Sequence, residues 1–348
     1  MRLIRSARVL ALVLLLALLS GCGATGDTAG NGSESRTVFA MDTVMELNPC
    51  GEHASEACDL AEERILKLES ELSVTDPGSD LYAVNHAQGQ SVTVSEDTAA
   101  LLREALTYCA RTDGALDVSI YPVLCAWGFT TESYQVPSDE TLRNLLQNVD
   151  YTRVQLDDET KTVTIPDAMQ IDLGSVAKGY TGDLVIRSFR DAGVTSAMIN
   201  LGGNVQVLGS KPDGSPWRIG VQDPGGEGFV GVISASDLAV VTSGGYERFF
   251  EQDGVTYWHI LDPETGAPAH SGVVSSTIVG KSGTMCDALS TALFVMGKDR
   301  AAAFWRSHEG FDFLLVMEDG SLVMSEGLES RFEAAGAWTD APIEVIRK

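Results

Sequence analysis

"IDLGSVAKGYTGDLVIRSFRDAGVTSAMINLGGNVQVLG", Ile171–Gly209, changes its period midway. Ser175 to Ala192 reads as a helix, opened by "DLGS" and closed by Gly193. After Gly193 the chain becomes strand-like, with Gly202 and Gly203 paired inside an apolar run. Strands dominate from there to about Gly280. Helix returns over Met285–Met296 and Lys298–His308, and a hairpin around "MEDGSL" follows. Upstream, "RTVFAMDTVMEL" reads as an opening strand and Glu52–Leu72 as a helix. "QSVTV" gives a short strand, then a helix capped by Ser95 and stopped at Gly114. "SDETLRNLLQNV" is a further capped helix, and "RVQLDDETKTVTIP" a hairpin. Runs of helix alternate with runs of antiparallel-looking strand, and no fixed-period repeat is visible. This predicts an α+β fold, one unit of two interwoven lobes over residues 36–348.

The first 35 residues stand apart. Arg2, Arg5 and Arg8 form a basic stretch and Val9–Leu19 a short apolar one, too short to span a bilayer comfortably. With "LSGC" at Leu19–Cys22, residues 1–21 read as a lipoprotein signal and Cys22 as the lipidated residue. Residues 22–35 are rich in Gly, Ser and Thr and read as a flexible tether. The expected location is extracytoplasmic, lipid-anchored to the cell membrane. Losing the leader's three arginines moves the formal charge from −25 to −28. A body this acidic repels nucleic acid and anionic headgroups, so no nucleic-acid partner is expected and membrane residence needs the anchor. It could also use a cation to hold a phosphate ligand. Five further cysteines, Cys50, Cys58, Cys109, Cys125 and Cys286, show no CxxC spacing; Cys50 and Cys58 could pair.

Chemistry concentrates in four places. In "IDLGSVAKGY" a strand delivers Asp172 to a tight turn, and Lys178 lies one turn into a helix whose free amides suit a phosphate. Taken alone, these residues favour an Asp-capped helix with a solvated lysine. In "MINLGGNVQVLG", Asn200 and Asn204 could bond a ligand or close a turn. In "CDALSTALFVMG", Asp287 and Thr291 stand four apart on one helix face and offer oxygen ligands to Mg²⁺. A helix cap plus a threonine bonding back to a carbonyl would use the same pair. In "TSGGYERFFEQDGVTYWHILDPETGAP", Val255–Leu261 reads as a strand and "DPETG" as a tight turn. His259 there is either structural or directed at a substrate.

Taken in order, "DLGSVAKGY", "NLGGN", "SGGYER", "HILDPETGAP" and "DALSTALFVMG" resemble the FAD:protein FMN transferase family, flavin transferases once called thiamine-biosynthesis lipoproteins. "FAMDT" and "GALDVSIYPVLCAWGF" (Gly114–Phe129) extend the resemblance over nearly the whole mature chain. It implies a catalytic unit that binds FAD in an extended pose with Mg²⁺ on the pyrophosphate. The implied metal ligands are Asp287 and Thr291 by side chain and Ser175 by its main-chain carbonyl. The implied FAD contacts are Met41, Ala115, Leu116, Asp117, Asp172, Lys178 and Leu261. Two departures from the family stand out: Asp42 where glycine is frequent, and Val74 and Thr75 where an aromatic is frequent.

The implied reaction moves FMN from FAD to a threonine or serine hydroxyl of a target protein, an extracytoplasmic redox subunit, and releases AMP. His259 is then expected to line the site as proton acceptor or phosphate contact. The alternatives are an FAD pyrophosphatase using the same residues, with water as acceptor, and a flavin-binding lipoprotein without chemistry.

Overall fold

A computed structural model describes residues 32–348. The signal, Cys22 and most of the tether lie outside the described residues. At the centre is a sheet of nine strands lying in the same order in space as in the chain. They are Arg36–Ala40, Thr43–Cys50, Ser196–Leu201, Asn204–Leu208, Ala239–Gly244, Val273–Gly280, Phe311–Met317, Leu322–Ser325 and Ile343–Ile346. Every neighbouring pair is antiparallel except the last, Leu322–Ser325 with Ile343–Ile346. The α+β class follows directly.

Each strand alternates, so the sheet buries two different faces. One face presents Val38, Met45, Leu47, Ile199 and Leu201 to a helix Ala54–Leu72 and to the central helix, Gly174–Asp191. The same face presents Val241, Ile278, Phe313 and Leu315 to the C-terminal helix, Gly283–Ser307. The opposite face, with Val207, Val279, Leu314 and Leu322, lies under a small sheet of Phe332–Ala334, Phe229–Ala235 and Trp217–Gln222. A second small sheet packs with the helix Glu96–Arg111 into a further apolar cluster that also holds Leu173, just before the central helix, and Val176 and Ala177 within it.

Several sequence expectations need correction. "RTVFAMDTVMEL" is two strands, because Met41 and Asp42 turn the chain back on itself (Ala40 pairs with Thr43). The strand before "DPETG" stops at Trp258, and Leu261 makes only an isolated bridge to Pro268. The first helix begins at Ala54 rather than Glu52, and its exposed leucines, Leu60 and Leu66, sit off the buried stripe. The expected division of the C-terminal helix into two runs holds: Gly297 breaks it with a φ of 72°. Cys58 is a buried free thiol, so it makes no disulfide with Cys50.

Candidate active site

Two hairpin tips meet the first turns of the central helix. Met41 and Asp42 both have positive φ, 51° and 57°, as a two-residue hairpin turn requires. Gly202 and Gly203 form a matching tip, with φ of 61° and 86°. A side chain at Gly202 would place its Cβ 2.3 Å from Thr43 Oγ1, so glycine is what lets the tips pack together. At Asp42, a short polar residue tolerates the left-handed backbone where the resemblance leads one to expect glycine. Methionine has no such tolerance, so Met41 is held there by its surroundings: its amide donates to Glu69 Oε1 at 2.8 Å, and Thr181 Oγ1 lies 3.8 Å from its sulfur.

The central and C-terminal helices cross at glycine. A Cβ on Gly179 would lie 2.3 Å from the Gly283 carbonyl oxygen, and one on Gly283 would meet Gly179 and Gln206. Asp183 fixes this crossing by accepting from the Gly283 and Thr284 amides (2.6 and 2.9 Å) and from the Thr284 hydroxyl (2.8 Å). Ser282 caps the C-terminal helix through the Met285 amide at 3.1 Å. Asp287 is therefore not a cap. It lies one turn further in, 4% exposed, and its Oδ2 accepts from the Gly179 amide at 2.8 Å. The backward bond to a helix carbonyl is made by Ser290, to Asp287 at 2.8 Å. Thr291 instead reaches Ser243 Oγ at 3.3 Å.

His259 leaves the aromatic hairpin Phe249–Gln252/Val255–Trp258. Its own amide and its Nδ1 both face the Arg248 carbonyl, at 3.1 and 3.3 Å. A ring donating from Nδ1 keeps Nε2 as an acceptor. Burial is the main cause holding its pKa down at about 4, helped by Arg248 and Lys178, so the ring is neutral at neutral pH. The "DPETG" turn braces this segment: Gly266 N donates to Asp262 O at 2.7 Å, and Trp127 Nε1 donates to Gly266 O at 2.8 Å. The turn and the positioned histidine belong to one device.

Charge in this region centres on Lys178, which stabilises the charged forms of Asp172, Asp287 and Glu247 and opposes protonation of His259. Burial pushes the carboxyls of Asp172 and Asp287 above their ordinary range. Glu247 is pushed up to about 7 by the atoms packed round it and by Asp287, against Lys178 and Arg248, although its side chain still meets solvent. Asp172 and His259 are half-buried.

Asp172, Lys178, Asp287 and His259 thus share one electrostatic neighbourhood, with Ser175 one helical turn before Gly179. Asp172 also closes the turn before the helix, taking the Gly174 amide at 3.1 Å. Ala115, Leu116 and Leu261 are buried in apolar clusters. Asp117 is engaged within the protein by Ser119 N, Ser119 Oγ and Tyr151 N at 2.8, 2.6 and 3.1 Å. The Asp172 amide bonds the Val118 carbonyl at 2.8 Å, which ties that segment to the site. Glu247 and Ser243 were missed as site residues; the only sequence signal was their place in "TSGGYER". A separate cavity of about 330 Å³, lined by Glu104, Tyr180, Arg187, Arg190 and Lys281 among others, holds none of the candidate site residues.

Residues 41–315 match the sequence profile of the ApbE family. The chain is 33% identical to the FAD:protein FMN transferase of Treponema pallidum over 93% of its own length and 95% of the relative's. It is 31% identical to the enzyme of the same name from Vibrio cholerae, over 87% and 92%. Among solved structures, an ApbE protein from Thermotoga maritima superposes with a TM-score of 0.82 at 34% identity, covering 86% of this chain and 99% of that one. The Pseudomonas stutzeri flavinyl transferase ApbE gives 0.78 at 27% identity, over 89% and 100%. A match across both hairpin tips, the glycine crossing and the His259 segment is more than likeness of fold: the chain belongs to the ApbE family of flavin transferases.

Proposed function

We propose that this protein transfers the FMN half of FAD to a threonine or serine hydroxyl of a separate protein, releasing AMP. The observation that carries the reading is His259: a neutral ring fixed through Nδ1 to the Arg248 carbonyl, with Nε2 left to accept a proton, in the same charge neighbourhood as Lys178 and Asp287. The acceptor hydroxyl attacks the FMN phosphorus and its proton passes to His259 Nε2. The bond from that phosphorus to the bridging oxygen breaks, and the electron pair leaves with AMP.

The donor set fits Mg²⁺. Asp287 gives a carboxylate whose Oδ2 is pinned by Gly179, Thr291 gives a hydroxyl on the same helix face, and Ser175 gives a main-chain carbonyl. All are hard oxygens, and a single carboxylate leaves room for waters and phosphate. When bound, the ion supplies neutralisation of the pyrophosphate charge. Lys178 adds a fixed positive charge beside it, in a chain of formal charge −25. Met41, Asp172 and the Ala115–Asp117 segment are assigned to FAD. With the Ala115 and Leu116 side chains buried, that segment offers mainly backbone.

Cys22 is assigned as the lipid anchor, which places the site outside the cytoplasm within reach of membrane-attached redox subunits. The test is to incubate the protein with FAD, Mg²⁺ and a secreted flavoprotein candidate, then look for covalent flavin fluorescence on a denaturing gel and for AMP. Labelled acceptor with AMP in equal amounts is expected. Free FMN and AMP with no labelled acceptor would make the protein a pyrophosphatase instead.

A further inference from the structure

A chain of buried polar groups runs beneath Asp287 and stops one link short of closing. Gly179 donates to Asp287 Oδ2 at 2.8 Å, and Gln206 Nε2 donates to the Gly179 carbonyl at 3.0 Å. The same Nε2 reaches Asn204 Oδ1 at 3.4 Å. Asn204 ends this chain beside Asp287, whose charged form it favours. Its register is fixed one residue beyond the Gly202–Gly203 tip, where it pairs with Leu201 and Val241.

Asn204 is fully buried, and its Nδ2 has no hydrogen-bond partner. Leaving an amide donor unsatisfied in a packed interior is costly, and a leucine of nearly the same shape would remove the cost. An asparagine here makes sense if the donor has work to do in the liganded protein. We propose that Asn204 is the positioning residue for Asp287: its Nδ2 donates to the carboxylate and holds Oδ1 toward the cleft for a divalent cation. The proposal rests on the reading of Asp287 as a cation ligand. Groups that orient a metal's ligands commonly set its affinity, and their loss costs roughly 10–100-fold.

The experiment measures melting temperature of the full chain in detergent against Mg²⁺ concentration, with and without FAD. Wild type is compared with Asn204→Ala, Asn204→Asp and Asn204→Leu. The leucine variant guards against simple unfolding, because it fills the same volume without a polar atom. Wild type should melt higher as Mg²⁺ rises, and each folded variant should need about tenfold or more Mg²⁺ for half the effect. Asn204→Leu without Mg²⁺ should melt no lower than wild type. If a folded variant half-saturates at the wild-type concentration, Asn204 is only a structural amide and the proposal falls alone. If wild type itself shows no Mg²⁺-dependent shift, the cation-site reading falls and takes the proposal with it.

Discussion

The amide of Gly179 donates to Asp287 Oδ2 at 2.8 Å, across 108 positions of sequence and the crossing of two helices. In an α-helix the regular partner of that amide is the carbonyl four residues back, which is Ser175. One bond therefore orients the carboxylate and bears on the carbonyl that belongs to the same candidate donor set. Two consequences can be measured.

At Gly179 itself, alanine would push its Cβ to 2.3 Å from the Gly283 carbonyl oxygen and 2.8 Å from the Asp287 Cβ. Backbone cannot move aside as a side chain can, so Gly179→Ala should cost about 1–3 kcal/mol as overpacking does. Chemical denaturation measures this. Transfer activity should fall further than stability does, because the same displacement moves Asp287. An alanine variant with wild-type stability and activity would show that the crossing is looser than the distances imply.

Replacing Asp287 by asparagine should separate function from stability. Burial raises the carboxyl's pKa in the folded protein, so the folded state holds its proton more tightly than the unfolded chain. The associated stability is present below the unfolded value of 3.8 and is lost as pH rises through the folded value. At neutral pH without metal, Asp287→Asn should thus be at least as stable as wild type. Its activity should drop by more than the roughly 10–100-fold typical of outer-shell changes, with partial recovery in excess Mg²⁺ or Mn²⁺. A clear loss of melting temperature with activity intact would assign Asp287 to structure.

On the proposed mechanism, His259 sets the pH dependence. Its pKa of about 4 puts the acid limb of the pH–rate profile well below the ordinary histidine value of 6.5. The stability sign agrees: the unfolded chain binds the proton first, so stability is lost as pH falls from 6.5 toward 4. Transfer measured at pH 5.5 to 6, flanking wild-type and His259→Ala protein, should show no loss in wild type that is due to protonation of this ring. His259→Ala should slow transfer by about 10²–10⁴-fold while FAD affinity changes little. An alanine variant that mainly weakens FAD binding would make His259 a phosphate contact.

Lipidation of Cys22 is tested by fractionation. The Cys22→Ala form should leave the membrane fraction, since the strongly acidic body repels anionic headgroups. Retention equal to wild type would move the anchor elsewhere.

Periodicity and turn chemistry determined much of this protein before any coordinates. The helix after "DLGS", the Ser95 and Ser138 caps and the break at Gly297 are local events, settled by residues within one or two turns of each other. The pairing of Asp287 with Thr291 was legible for the same reason, since spacing of four fixes a shared helix face. The Met41–Asp42 turn was not, because its residues carry no glycine and their positive φ is imposed by Glu69, Thr181 and the neighbouring tip. Tertiary structure alone excluded a helix cap at Asp287, by giving the cap to Ser282 and bringing the Gly179 amide across to the carboxylate. It also turned His259 from a strand residue of either meaning into a neutral ring with one nitrogen occupied. The raised carboxyls and lowered histidine arise from burial and from charges far away in sequence, and desolvation depends on the whole fold rather than on neighbours in the chain.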